Sequence, residues 1–133
     1  MDGKLIIDPS PYRAGACNIG SAEISRRRRG AVAGLAASVL LGLALVALDA
    51  PPVARLLVFP PLAGALVGLE QARRHFCAAF GLTGVRNFGP LGSPERVTDG
   101  ADLARDRRSA LVMVAYCSAI AAVVTLAFVA LPI

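Results

Sequence analysis

Cys17, His75 and Cys77 are the residues of this chain whose types could support chemistry of their own. Two thiolates and an imidazole suit zinc, iron or another borderline metal ion. Asn18 or Asp8 could complete a fourth position. The same residues admit a second chemistry. A thiol at Cys77, close in sequence to Arg73, Arg74 and His75, would have a lowered pKa if exposed and would be reactive.

The spacing argues against a preformed metal site. There is no CxxC pair, and three ligands do not close a structural zinc site. His75 and Cys77 are two apart, so in a regular helix they point about 200° away from each other. Joint ligation requires a non-helical segment there. It also requires the N-terminal segment to fold back, bringing the Cys17 sulfur within about 4 Å of the Cys77 sulfur. The competing reading is structural: His75 as an interfacial imidazole and Cys77 as a small buried apolar side chain.

No other catalytic arrangement is present. The chain has no G-x-S-x-G, no P-loop, no HExxH and a single His. We therefore assign no catalytic and no cofactor-binding residues, and expect a protein that is not an enzyme. No charged residue falls in the middle of an apolar stretch, which argues against a pump or secondary transporter.

The elements that must position these residues follow from the distribution of charge. Residues 30–48, 56–69 and 109–133 contain no charged side chain. Thirteen of the fourteen basic residues lie before the first stretch or between the second and third, and Arg55 alone falls in the short connection. The positive-inside bias then places both basic segments in the cytoplasm. The expected fold is all-α with three transmembrane helices, the first two forming a tight hairpin, the N-terminus cytoplasmic and the C-terminus outside. The expected parts are a cytoplasmic segment with a basic collar over 1–29, a first span over 30–48, an external turn over 49–55, a short proline-kinked second span over 56–72, a cytoplasmic connection over 73–108 and a third span over 109–131. The first span, at 1.5 Å per residue, reaches roughly 28 Å, close to the hydrocarbon thickness. Its apolar run is too long for a cleaved leader and reads as an uncleaved signal anchor. The second is the shortest. Arg55 snorkelling outward and Glu70 inward would let it cross.

Composition agrees. Hydrophobic residues make up 56% and mean hydropathy is +0.62, above the roughly 45–50% apolar content of soluble domains. Arg outnumbers Lys thirteen to one, a bias associated with GC-rich bacterial genomes, so the expected location is a bacterial inner membrane. A basic pI near 9.9 in a soluble protein would suggest nucleic acid. Here Arg26, Arg27, Arg28 and Arg29, with Arg73, Arg74, Arg107 and Arg108, read as contacts to anionic lipid headgroups. No aromatic residues alternate with them, as a single-strand binder would require, and no nucleic-acid partner is expected.

Three local signals complete the reading. Gly30, Gly34, Ser38 and Gly42 repeat every four residues, as do Gly64 and Gly68, and such small faces let two helices approach closely. The two faces are expected to meet each other. Ser21 and Asp99 are expected N-caps, with Glu23 and Asp102 in the following first turns. The stretch His75-Phe76-Cys77-Ala78-Ala79-Phe80-Gly81-Leu82 is too apolar for a free loop and is expected to lie on the membrane or bury against a partner.

Three functional classes follow. The leading one is a non-catalytic accessory or assembly subunit that packs against larger membrane proteins. The second is a metal- or thiol-based sensor or carrier using Cys17, His75 and Cys77. The third is a homo-oligomeric pore or lipid-handling protein.

Overall fold

The computed structural model describes residues 11–133. The chain is mostly helical: α1 (Ser21–Ala47), a 3₁₀ segment (Pro52–Val58) running into α2 (Phe59–Arg74), a short α3 (Ala78–Thr83), a two-stranded hairpin of β1 (Val85–Arg86) and β2 (Glu95–Arg96), and α4 (Gly100–Ala130). Three helical stretches, Ser21–Ala47, Pro52–Arg74 and Gly100–Ala130, are long and apolar enough to cross a membrane. At 1.5 Å per residue, the 23 residues of the middle one reach about 35 Å.

Turn chemistry sets the boundaries. Helix α1 stops at Leu48, and Asp49 takes a left-handed conformation with φ 55° before Pro51 and Pro52. Pro60 and Pro61 fall in the first turn of α2, where a missing N–H is tolerated, and there the 3₁₀ segment passes into α-helix. Helix α4 begins as expected. The Asp99 carboxylate accepts from the Ala101 N–H at 2.8 Å and the Asp102 N–H at 3.4 Å. The α1 cap differs from expectation. Gly20 holds the N-cap position and Ser21 is the first helical residue, with no side-chain cap. The Gly20 N–H bonds the Asn87 carbonyl at 2.9 Å, so a distant loop sets the start of α1.

Helix α2 lies between α1 and α4 and packs on both, whereas direct contact between α1 and α4 is sparse. The α1–α2 seam uses only part of the glycine pattern. A Cβ at Gly34 would lie 3.1 Å from the Ala65 Cβ, and one at Gly68 would lie 3.1 Å from the Ala31 Cβ. Ser38 is also buried, its hydroxyl donating to the Gly34 carbonyl. Gly42 instead faces the Phe128 ring of α4 and Val58. Gly30 and Gly64 face open space. Gly34 and Gly68 therefore face the opposing helix closely, Ser38 is buried beside the α1–α4 cleft, and Gly30 and Gly64 meet nothing within 4 Å. A four-residue repeat drifts around a 3.6-residue helix, so its members cannot all face one partner.

At the end of the bundle where α1 begins, residues 11–20, α3 and the hairpin form a cap. Its core is Phe76, Ala78, Ala110, Met113 and Cys117. Within the apolar stretch after α2, Phe76 and Ala78 thus bury against the chain's own α4, whereas Ala79 and Leu82 stay exposed. Gly81 allows this, because a Cβ there would meet the Asp106 carbonyl at 2.8 Å and Phe76 at 2.9 Å.

Candidate functional site

The polar residues of the cap are drawn inward into one network. Helix α2 ends at Arg74, and His75 adopts a left-handed conformation with φ 56°. The chain is therefore non-helical between His75 and Cys77, as joint ligation requires. The N-terminal segment also folds back over this turn. Asn18, fully buried, accepts from the Cys77 N–H at 2.7 Å and donates to the Cys77 carbonyl at 3.1 Å. The backbone N–H groups of Asn18 and Ile19 both bond the His75 carbonyl.

The three candidate ligands nevertheless end in two places. The Cys77 sulfur is buried and accepts from Arg27 Nη2 at 2.9 Å. Cys17 and His75 line a separate surface pocket of about 400 Å³ with Arg13 and Arg74. Burial pushes the Cys17 thiol up, against the weaker pull of the Ile19 backbone and of Arg13. Asn18, the candidate fourth ligand, is committed to the Cys77 backbone, and Asp8 lies outside the described residues. Among the described residues, no three His, Cys, Asp or Glu side chains are placed to hold a metal ion.

Arg27 organises the network. It donates to Glu23 at 2.7 Å and to the Cys77 sulfur, and its guanidinium lies 5.5 Å from the Phe80 ring centroid. Glu23, 2% exposed, also accepts from Asn87 Nδ2 at 3.1 Å. The sequence places Arg27 with its three neighbours at the lipid headgroups. The structure turns it inward, because four consecutive helical residues span a whole turn and one must face the cap. Arg26, Arg28 and Arg29 are exposed, as are Arg107 and Arg108. Arg73 is exposed and grips Glu70 through both Nε and Nη2, and Arg74 donates to the Tyr116 hydroxyl, itself bonded to Glu70.

A second buried carboxylate holds the other side of the cap. Asp106 has no exposed surface. It accepts from the Tyr12 hydroxyl and from the Gly15 N–H, each at 2.7 Å. Ser109 donates to the Gly15 carbonyl at 2.7 Å. Burial and the Asp106 carboxylate raise the Tyr12 pKa well above its ordinary value.

Two lateral grooves complete the surface. At the end away from the cap, α1 and α4 diverge over Val58 and Leu62. They leave an apolar cleft of about 420 Å³, with Val39 and Leu43 on one wall and Val124 and Phe128 on the other. Thr125 also lines it. Its hydroxyl is buried and has no hydrogen-bond partner among the described residues. Nearer the cap, a groove of about 380 Å³ runs beside the α1–α2 seam, lined by Arg26, Arg27, Gly30, Gly64, Gly68 and Gln71 among others.

Sequence reasoning missed Arg55. It is 3% exposed and does not snorkel. Its guanidinium bonds the Phe128 and Leu131 carbonyls at 2.9 Å, bonds the Ile133 carbonyl, and lies 5.2 Å from the Phe128 ring centroid. The last carbonyls of a helix lack partners and carry its negative dipole end, so a cation there is favoured. The available signal was Arg55's isolation from every other basic residue. Compared with known proteins, the chain matches no family model, no curated protein and no solved structure.

Proposed function

We propose that this is a small, non-catalytic, multi-pass membrane protein that serves as an accessory or assembly subunit of a larger membrane complex. The cap and its arginines lie in the cytoplasm and the Asp49 turn lies outside. The orientation rests on the partition of basic residues to the capped end. The subunit role rests on one observation: the apolar cleft that α1 and α4 leave open. The walls of the cleft are side chains that the chain itself leaves uncovered, Val39 at 60% exposure, Leu43 at 63% and Val124 at 49%.

The test is native electrophoresis of gently solubilised membranes, with mass spectrometry of co-migrating proteins, for wild type, Leu43→Trp and Val124→Trp. Wild type should run in a large heteromeric band. The variants should run as folded, dissociated protein, because both side chains are exposed in the isolated chain. A heteromeric band that survives both substitutions would remove the cleft from the interface. A small homo-oligomer alone would support a pore or lipid-handling role. Stoichiometric zinc or iron would support the sensor reading. Ser93→Cys should be protected from an impermeant thiol reagent in intact cells and Asp49→Cys should be labelled. The reverse pattern would invert the orientation.

A further inference from the structure

We infer that the groove beside the α1–α2 seam is a specific site for one anionic phospholipid, its headgroup on Arg26 and Gln71 and a tail along Gly30 and Gly64. Gly34 and Gly68 are explained by close approach of the two helices. Gly30 and Gly64 are not, since a side chain at either would meet nothing within 4 Å. Their bare backbone instead lines the open groove.

The groove changes character along its length. Its glycine portion offers no charge and no side-chain bulk. Its capped end carries two guanidiniums and the Gln71 amide. Arg27 is already bound to Glu23 and Cys77, and the Glu23 carboxylate offsets its charge. Arg26 is exposed and makes no ion pair or hydrogen bond with the other described residues. Gln71 is only 9% exposed. Its carbonyl oxygen accepts from the Ala78 N–H at 2.8 Å, and its amide nitrogen donates to none of the described residues.

A cationic, donor-rich end continuous with an uncharged channel of small residues matches a molecule with a phosphate at one end and an acyl chain at the other. A free phosphate has no use for the glycine portion. A second copy docked in parallel would set its own Arg26–Arg29 collar beside this one, like charge against like. The site does not depend on the cleft between α1 and α4, so it stands or falls separately from the subunit reading.

The experiment is native mass spectrometry and thermal unfolding of delipidated, detergent-purified protein. Separate titrations use phosphatidylglycerol, phosphatidylcholine and inorganic phosphate. One phosphatidylglycerol should remain bound and raise the Tm. Arg26→Gln should weaken that binding about fivefold, the weight of one arginine on an anionic lipid. Gly64→Leu should block it while leaving the Tm of the delipidated protein unchanged, since the new side chain occupies open space. Arg28→Gln, off the groove, should leave binding within about twofold of wild type. The proposal is overturned if phosphatidylcholine binds equally well, or if Arg28→Gln weakens binding as much as Arg26→Gln. It is also overturned if inorganic phosphate stabilises the protein as strongly as the lipid, or if Gly64→Leu changes the oligomeric state without changing lipid retention.

Discussion

Asn18 satisfies both backbone groups of Cys77 with one side chain, its Oδ1 accepting from the N–H at 2.7 Å and its Nδ2 donating to the carbonyl at 3.1 Å. This joins residues 59 positions apart and fixes the N-terminal segment on the turn after α2. Asn18→Ala leaves the buried Cys77 N–H unpaired, at about 1–3 kcal/mol, while the Cys77 carbonyl keeps the Gly81 N–H at 2.9 Å. The Tm in detergent should fall, and the Cys77 amide should exchange with solvent far faster. An unchanged exchange rate at Cys77 would mean the fold-back is held elsewhere.

The α1–α2 seam separates glycines that look alike in sequence. Gly34→Leu and Gly68→Leu should each destabilise the hairpin by about 1–3 kcal/mol through overpacking. Leu40→Ala, on an exposed position, should leave the Tm nearly unchanged. Equal Tm values for all three variants would make the glycines compositional, not structural.

Arg55 ties the 3₁₀ segment to the end of α4. Arg55→Ala should cost about 1.5–3 kcal/mol, the range for hydrogen bonds to a charged group, and should accelerate proteolysis or exchange near residues 126–131. Arg55→Lys should recover only part of this, because an ammonium lacks the guanidinium fork and its stacking on Phe128. Full recovery by lysine would reduce the interaction to simple charge at a helix end.

The three apolar helices and the Asp99 cap were legible because their signals are local: runs without charge, and one acidic side chain two residues from the N–H it accepts. The cap was not, because its bonds join single residues far apart. Asn18 meets Cys77 across 59 positions, Asn87 meets Glu23 across 64, and Tyr12 meets Asp106 across 94. No periodicity announces such pairs. Glu23 four residues before Arg27 was a usable clue that this arginine differs from its neighbours. The Cys17, His75 and Cys77 set shows the limit from the other side. The fold-back it required is present, yet a turn of one residue separates an inward asparagine from an outward cysteine.

Thiol reactivity should follow that division. Cys17 is half-buried and Cys77 buried against Arg27, so a maleimide on folded protein in detergent should modify Cys17 first and Cys77 only on unfolding. Because burial raises the Cys17 pKa, its thiolate is scarcer at neutral pH than that of a free cysteine. Its labelling rate should therefore keep climbing at pH values above about 8.5, where a free cysteine levels off. A Cys17 rate that saturates below that pH would remove the burial argument.

Tyr12 and Asp106 should make the cap sensitive to alkali. The folded Tyr12 pKa is raised, first by burial and then by donation to the Asp106 carboxylate, against the opposing pull of Arg86 stacked 4.9 Å from its ring centroid. A raised pKa means the folded state holds the proton more tightly than the unfolded one. The contribution is complete below the unfolded value of about 10 and declines as pH rises beyond it toward the folded value. Tm measured in detergent should hence be flat in this respect through neutral pH and fall above about pH 10. Tyr12→Phe removes the donor and leaves the buried carboxylate with the Gly15 N–H alone, lowering stability by about 1–3 kcal/mol at neutral pH. It should also flatten the alkaline decline. If Tyr12→Phe keeps the full wild-type decline above pH 10, the titrating group is elsewhere and the Tyr12 hydroxyl does not couple cap stability to pH.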